Sequence, residues 1–276
     1  MDDAWTDVLN SASLTICSSR LLFPDEHIDG IEDITRKLVH ALATQWIGID
    51  LVPAQATDIW VIVGLAYFMT DIFMRKLCGR NDYRYRQKLA ADKVVKLDVG
   101  RPCLRDLGSI LNIDPLQLEF MALKAPLVLF ILDQRMLKGG SLTGVSRVIS
   151  KLFLNAKVGD FTNGALDTAY FIKQCERIGH TKLESFFSQW IDGAGCPTFR
   201  ISQRFNKKKL VVEMSIQQVQ SERSDDRSLQ SETFMRDVKE DKAEAYAAIQ
   251  PCFTVCSTHI IYNKLIESGT YVDTDT

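Results

Sequence analysis

The sequence predicts an α+β protein in which a mostly helical domain, residues 1–192, precedes a smaller β module, residues 193–276. Apolar residues recur at three- and four-residue spacing in several segments between Ile31 and Ile191, as on one face of a helix. Beyond Pro197 the pattern changes to alternation in TFRISQRF and KLVVEMSIQQV, which is typical of strands. Both lengths are sufficient for a buried core.

The bulk composition is that of an ordinary soluble globular protein. Hydrophobic residues make up 46% of the chain, charged residues 25%, and the net charge is −2, so no overall excess of Lys and Arg indicates nucleic acid. The first residues, MDDAWTDVLNSAS, are acidic and polar, unlike a secretory signal. The longest apolar run, Ile59 to Met69, is too short to span a bilayer and predicts a buried helix.

Two helices joined by a Pro-containing connection organise the chain. The first presents Ile31, Ile34, Leu38, Leu42 and Trp46 on one face. The second is capped by Thr57 or Asp58, ends at Cys78-Gly79, and is apolar nearly all round, which places it at the centre of the domain. Trp46 and Trp60, one on each helix, are both expected in the core.

The remaining elements follow from the same periodicities. Residues 11–23 predict a strand and residues 24–30 a loop, and the hairpin turns around Asn206. Residues 220–232 are polar and charged, which indicates a disordered insertion within the β module. Further helices are predicted over residues 83–97, 126–137, 142–155, 165–178 and 182–191, and a last strand over residues 251–263.

A local basic cluster follows the central helix. Between Arg75 and Lys96 eight basic residues face only Asp82 and Asp92, an excess of 8 − 2 = 6. A solvated helical face and a contact surface for DNA phosphates or an acidic partner both fit this pattern. The candidate contact residues are Arg75, Lys76, Arg80, Arg84, Arg86 and Lys88.

The seven cysteines are odd in number and widely spread, which favours reduced thiols over a disulfide framework. Cys252, Cys256 and His259 have some of the character of a metal site. They lack a fourth ligand and a paired knuckle, so no metal is expected there.

Four landmarks in order resemble the gluzincin aminopeptidases. Residues 40–48, HALATQWIG, are similar to the peptidase pattern H-E-L-A-H-Q-W-F-G, and Ile62-Val63-Gly64 to its N-E-G. Leu123 to Pro126 resembles the K-G-A segment, and Trp190 with Gly195 and Pro197 the W-x-x-x-x-G-x-P that leads into a β-sandwich. The resemblance implies a thermolysin-like, mostly helical catalytic-type domain followed by a partial antiparallel β-sandwich module.

The residues that perform the chemistry of these enzymes are missing. His40 remains, but Ala41 takes the position of the general base and Thr44 that of the second zinc ligand. Val63 takes the position of the third ligand and Ala122 that of the oxyanion-stabilising Tyr. Loss of a general base and of an oxyanion donor costs roughly 10²–10⁴ and 10²–10³ in rate. The resemblance therefore implies a pseudoenzyme without metal or cofactor, in which His40 is a partly buried, hydrogen-bonded residue.

A second resemblance covers more of the chain. The segments ATQWIGIDLVP, GLAYFMTDIFMRKLCGRNDYRYRQKL, FMALKAPLVLFILDQRM and GAGCPTFRISQRFNKKKLVVEM are similar to the TFIID subunit 2 family of TBP-associated factors. This implies a nuclear, non-catalytic scaffold in initiator recognition and RNA polymerase II pre-initiation complex assembly. The implied partners are other TFIID subunits, chiefly subunits 1 and 8, and core-promoter DNA through its phosphates, with no membrane. The alternatives are a vestigial zinc aminopeptidase and a pseudo-peptidase that binds peptides outside transcription.

Members of this family carry a β domain before this region and a helical-repeat solenoid after it. The sequence is therefore expected to be an internal segment. An exposed apolar face is expected where the absent β domain would pack.

Overall fold

The computed structural model describes residues 7–22, 30–110, 114, 116–140, 143–159, 161, 164–206 and 211–220. The described residues divide into two compact units. One comprises those within residues 1–94 and 103–193, and the other those within residues 95–102 and 194–276. The described part is mostly helical with a few strands, so the predicted α+β class is confirmed.

Helices and strands alternate only at the ends of the described region. The helices are α1 (Ile31–Trp46), α2 (Ile59–Cys78), α3 (Arg80–Leu97), α4 (Leu104–Ile110), α5 (Leu116–Lys138), α6 (Gly144–Val158), α7 (Thr168–Gly179) and α8 (Glu184–Trp190). The strands are β1 (Val8–Ser11), β2 (Leu14–Cys17), β3 (Val52–Pro53), β4 (Ala165–Leu166), β5 (Pro197–Asn206) and β6 (Val211–Gln220).

The central position predicted for α2 is confirmed. It packs against both α1 and α5 and buries Trp60, Leu65 and Phe68 almost completely. Gly79, at φ 93°, ends the helix in a conformation that favours glycine. With the turn that precedes it, α2 is long and apolar enough to cross a membrane, but more than half of its most apolar stretch is buried inside the fold, as expected of a core helix.

Close approach of α5 to α2 depends on Gly64. A Cβ at this position would lie 3.1 Å from Leu129 Cδ1 and 3.2 Å from Ala125 Cβ. The predicted start of α5 near Pro126 is wrong, because the helix already begins at Leu116 and Pro126 lies in its interior. Since proline has no N–H, the carbonyl of Ala122 lacks its intrahelical hydrogen bond there.

A buried carboxylate joins the start of α2 to α7. Asp58 Oδ1 accepts hydrogen bonds from the Thr168 backbone N–H (3.0 Å) and Oγ1 (2.6 Å), and Oδ2 accepts from the Gln55 N–H (3.1 Å). Trp60 Nε1 donates to the same Thr168 Oγ1 at 3.2 Å. Nearby, β3 and β4 form a short parallel pair. Asp58 therefore links segments 110 residues apart rather than simply capping α2.

The predicted burial of Trp46 is wrong, although Trp60 is buried as predicted. Trp46 is 58% exposed because α1 turns its polar side, with Arg36 and His40, toward α2. Arg36 Nη1 contacts the buried Asp71 Oδ1 at 2.5 Å. The apolar stripe of α1 therefore faces outward.

The predicted strand over residues 11–23 is a β-hairpin instead. Val8–Ser11 pairs antiparallel with Leu14–Cys17, and a 3-10 turn follows. The hairpin directs Asn10 and Thr15 toward α1 and leaves Leu9, Leu14 and Ile16 exposed. Exposed apolar faces are thus present on both β1–β2 and α1.

The predicted hairpin in the β module is confirmed, with β5 and β6 antiparallel from Pro197↔Gln220 to Asn206↔Val211. Helix α4, only seven residues long, was not predicted. Most of the predicted loop over residues 24–30, the insertion over residues 220–232, the last strand and the Cys252, Cys256 and His259 group lie outside the described residues.

Candidate functional site

The five positions at which the peptidase pattern is degenerate lie on three helices. His40, Ala41 and Thr44 are on α1, Val63 is on α2, and Ala122 is on α5. Of the five side chains, those of Ala41, Val63 and Ala122 contain no nitrogen, oxygen or sulfur that could bind a metal or a proton.

His40 is held in a neutral state by its surroundings. Its ring stacks on the ring of Tyr67, and its Nδ1 lies 3.3 Å from Thr70 Oγ1, which itself donates to the Ala66 carbonyl at 2.9 Å. This arrangement favours the tautomer in which Nδ1–H donates to Thr70. Burial lowers the pKa of His40 to about 4, so the imidazole is uncharged at neutral pH.

Thr44, one helical turn after His40, is committed to the fold. Its Oγ1 accepts a hydrogen bond from Asn10 Nδ2 (2.6 Å) and donates one to the Ala41 carbonyl (2.8 Å). The neighbouring Gln45 binds the hairpin as well, at Ser13 and Thr15. The polar groups on this side of α1 therefore fasten β1–β2.

A different cluster has metal-like composition. Within the described part of the chain, the only group of three His, Cys, Asp or Glu side chains with mutually close donor atoms is Glu32, Cys78 and Asp82, all within 4.8 Å. Arg86 contacts Glu32 and places its Nε 3.1 Å from Asp82 Oδ2, with Asp33 Oδ1 3.8 Å from Nη1. The guanidinium already supplies the positive charge that these carboxylates need.

The basic cluster resolves into two parts. Arg86 is half-buried and paired with acids of α1 and α3, whereas Arg75, Lys76, Arg80, Arg84 and Lys88 are exposed. Arg75 also lies 5.6 Å above the ring of Tyr83. Arg80, Arg84 and Lys88 follow one another at four-residue intervals on α3, and none of them forms an ion pair with another described residue. They form the exposed basic stripe of α3.

Sequence reasoning missed Tyr67 and Thr70, which hold His40, and the outward orientation of the α1 stripe. The signal available for Tyr67 was its position one turn before Asp71 on the helix that pairs with α1. Nothing in the spacing distinguishes a stacked phenol from an ordinary core residue.

Comparison with known proteins gives consistent relatives. Residues 194–255 match the family model described as the TAF2 Ig-like domain. The chain is 42% identical over 237 residues to transcription initiation factor TFIID subunit 2 of Schizosaccharomyces pombe, an alignment that covers 86% of this chain and 20% of that protein. It is 40% identical over 218 residues to the Saccharomyces cerevisiae protein of the same name, covering 78% and 16%.

A more distant relative of the same name, from Gallus gallus, is 26% identical over 246 residues. The chain spans about a fifth of the length of the curated relatives that it matches. The chain therefore belongs to the TFIID subunit 2 family, as the counterpart of one segment of its members.

Proposed function

We propose that this chain is a non-catalytic scaffold segment of TFIID that contributes to core-promoter recognition and pre-initiation complex assembly in the nucleus. In this proposal residues 1–192 form a degenerate gluzincin aminopeptidase-like domain and residues 193–276 a partial β-sandwich. Its partners are other TFIID subunits, chiefly subunits 1 and 8.

One observation carries the non-catalytic part of the proposal. At the five positions where the peptidase pattern requires zinc ligands, a base and an oxyanion donor, the structure offers one neutral, buried imidazole and one hydroxyl already used by the fold. A catalytic zinc site needs three protein ligands and an open position. His40 then serves α1–α2 packing.

Metal analysis and a peptidase assay on the intact chain test this part. We expect far less than one zinc per chain after dialysis against zinc, and no hydrolysis of aminoacyl reporter substrates above buffer. One tightly held zinc per chain, lost on His40→Ala, would revive the enzyme alternative.

The scaffold part is tested by a pull-down from nuclear extract with the intact chain as bait. We expect TFIID subunits to be enriched over a control bait of similar charge. Recovery of none of them would contradict the assignment to this complex, whatever the metal analysis shows.

The exposed basic stripe of α3 supports a second element, contact with DNA phosphates. Arg80, Arg84 and Lys88 point one face of positive charge away from the core, and no base-reading motif accompanies them, so contact would be to the backbone. Arg86 is excluded from this role by its carboxylate partners.

Charge reversal of the stripe tests that contact. The variant R80E/R84E/K88E should bind a promoter duplex more weakly, and the slope of log K against log salt should fall by roughly 0.9 for each lost phosphate contact. K173E on α7, an exposed lysine outside the stripe, is the matched control. Loss of subunit association without a change in DNA binding would assign the stripe to an acidic protein instead.

A further inference from the structure

A continuous surface made by α1 and α6 is used by none of the contacts described above. On α1, Ile31, Leu38, Leu42 and Trp46 form one solvent-facing stripe, with Leu42 64% exposed. Trp46 meets Phe153 of α6 edge to face, with ring centroids 5.7 Å apart. The stripe therefore continues onto α6.

The exposed side of α6 is both apolar and basic. Leu154 and Val158 are exposed there, Val158 to 75%. Every charged residue of α6 is positive, namely Arg147, Lys151 and Lys157, and all three are exposed. None of them forms an ion pair with any residue that the structure describes.

We propose that the α1 stripe and the exposed side of α6 form a docking surface for an acidic amphipathic helix of another protein. It deepens the proposed scaffold role by naming the chemistry of one partner. The stripe from Ile31 to Trp46 is about 22 Å long at 1.5 Å per residue, the length of a helix of four turns. Such a helix would lay its apolar side on the stripe, as in groove-bound helical peptides.

Charge selects the acidic partner over a second copy of this chain. In an isologous contact α6 would meet α6, and three positive charges on each side would repel. A partner with glutamate or aspartate beside its apolar face meets Arg147, Lys151 and Lys157 favourably. Trp46, held against Phe153, supplies the kind of aromatic anchor found at the centre of strong interfaces.

The apolar centre of the surface also argues against DNA. Phosphates would pair with the lysines, but binding would leave Leu42 and Trp46 without a desolvating partner. This separates the α1–α6 surface from the basic stripe of α3, which has a charged rather than an apolar centre.

Fluorescence anisotropy with the intact chain tests the proposal. The probe is a labelled amphipathic peptide with leucine at positions i, i+3, i+4 and i+7 of each repeat and glutamate on the flanks. The control peptide has lysine in place of every glutamate. We expect the acidic peptide to bind, the basic peptide to bind at least about tenfold more weakly, and added salt to weaken the acidic complex.

Two pairs of variants locate the site. L42E and K151E/K157E should each weaken binding about tenfold. L116E, at another exposed leucine, and K173E, at another exposed lysine, should leave it unchanged. Circular dichroism and melting temperature confirm folding of each variant, since all four sites are exposed.

Several outcomes would overturn the proposal. These are equal binding of both peptides, no binding of the acidic peptide, or acidic-peptide binding that survives L42E. Self-association abolished by L42E would assign the surface to a second copy, and L42E-sensitive binding to anionic vesicles or duplex DNA would assign it to those ligands. A failed pull-down of TFIID subunits with intact peptide binding would instead contradict the proposed function alone.

Discussion

The imidazole of His40 lies nearly parallel to the ring of Tyr67, with centroids 3.8 Å apart and an interplanar angle of 22°. Burial that lowers the pKa of the imidazole also raises the pKa of the Tyr67 phenol, with the charges of Asp71 and Glu119 adding to that effect. At neutral pH both rings are therefore uncharged, and they act as packing surfaces between α1 and α2.

The first prediction concerns the pH dependence of stability. Unfolded His40 has a pKa near 6.5 and folded His40 one of about 4, so between these values the unfolded chain binds a proton that the folded chain does not. The free energy of unfolding therefore falls as the pH decreases through this window. His40→Gln should reduce that fall between pH 7 and pH 5 by about 1–2 kcal/mol in urea titrations.

His180→Asn provides the control, because His180 is exposed and its left-handed backbone suits asparagine. The control should retain the wild-type pH dependence. An unchanged slope in His40→Gln would mean that His40 is protonated in the fold as readily as in the unfolded chain.

The second prediction concerns the buried carboxylate of Asp58. Asp58→Ala leaves the backbone N–H groups of Gln55 and Thr168 without their acceptor, and should lower the free energy of unfolding by about 2–4 kcal/mol. Asp58→Asn retains one acceptor oxygen and should cost less. Equal effects of the two substitutions in urea denaturation would show that the hydrogen bonds contribute little.

The third prediction concerns the close approach of α5 and α6. Gly144 has φ +54°, and a Cβ there would lie 2.1 Å from Asp133 Oδ1, the atom that accepts from the Val145 N–H at 2.9 Å. Gly144→Ala should therefore lower stability by about 2–4 kcal/mol, from backbone strain and displacement of the carboxylate together.

Gly159→Ala separates the two causes, since Gly159 also has a positive φ (+89°) but open space around a Cβ. Its cost should be about 1 kcal/mol, from the backbone alone. A Gly144→Ala melting temperature no lower than that of Gly159→Ala would show that Asp133 moves aside freely.

The fold was predictable where one pattern decides the environment. Helix α2 is apolar all round, so it could only be central, and its end at Gly79 follows from the residue type. Periodicity did not decide the environment of α1, because an apolar stripe marks a surface to be covered without saying what covers it. The buried side of α1 is instead built from Arg36, His40 and small residues whose partners lie on another helix.

The site was predictable at its missing residues and less so at its present ones. The absence of ligands at Ala41, Val63 and Ala122 is a fact of residue type. The stacking of Tyr67 and the neutral charge of His40 depend on burial, which spacing does not reveal. Likewise, the basic cluster reads as one run in sequence, but acids of α1 and α3 surround Arg86 alone.

That division of the basic cluster gives the fourth prediction. Arg86→Ala removes the cation shared by Glu32, Asp33 and Asp82, and should lower the free energy of unfolding by about 1 kcal/mol, since the guanidinium is partly exposed. Arg84→Ala, two residues earlier on the solvent side of α3, should change stability by less than about 0.5 kcal/mol. In promoter-duplex binding the order should reverse, with Arg84→Ala the weaker binder. Arg86→Ala binding as poorly as Arg84→Ala while remaining fully stable would place Arg86 in the contact surface and remove its structural role.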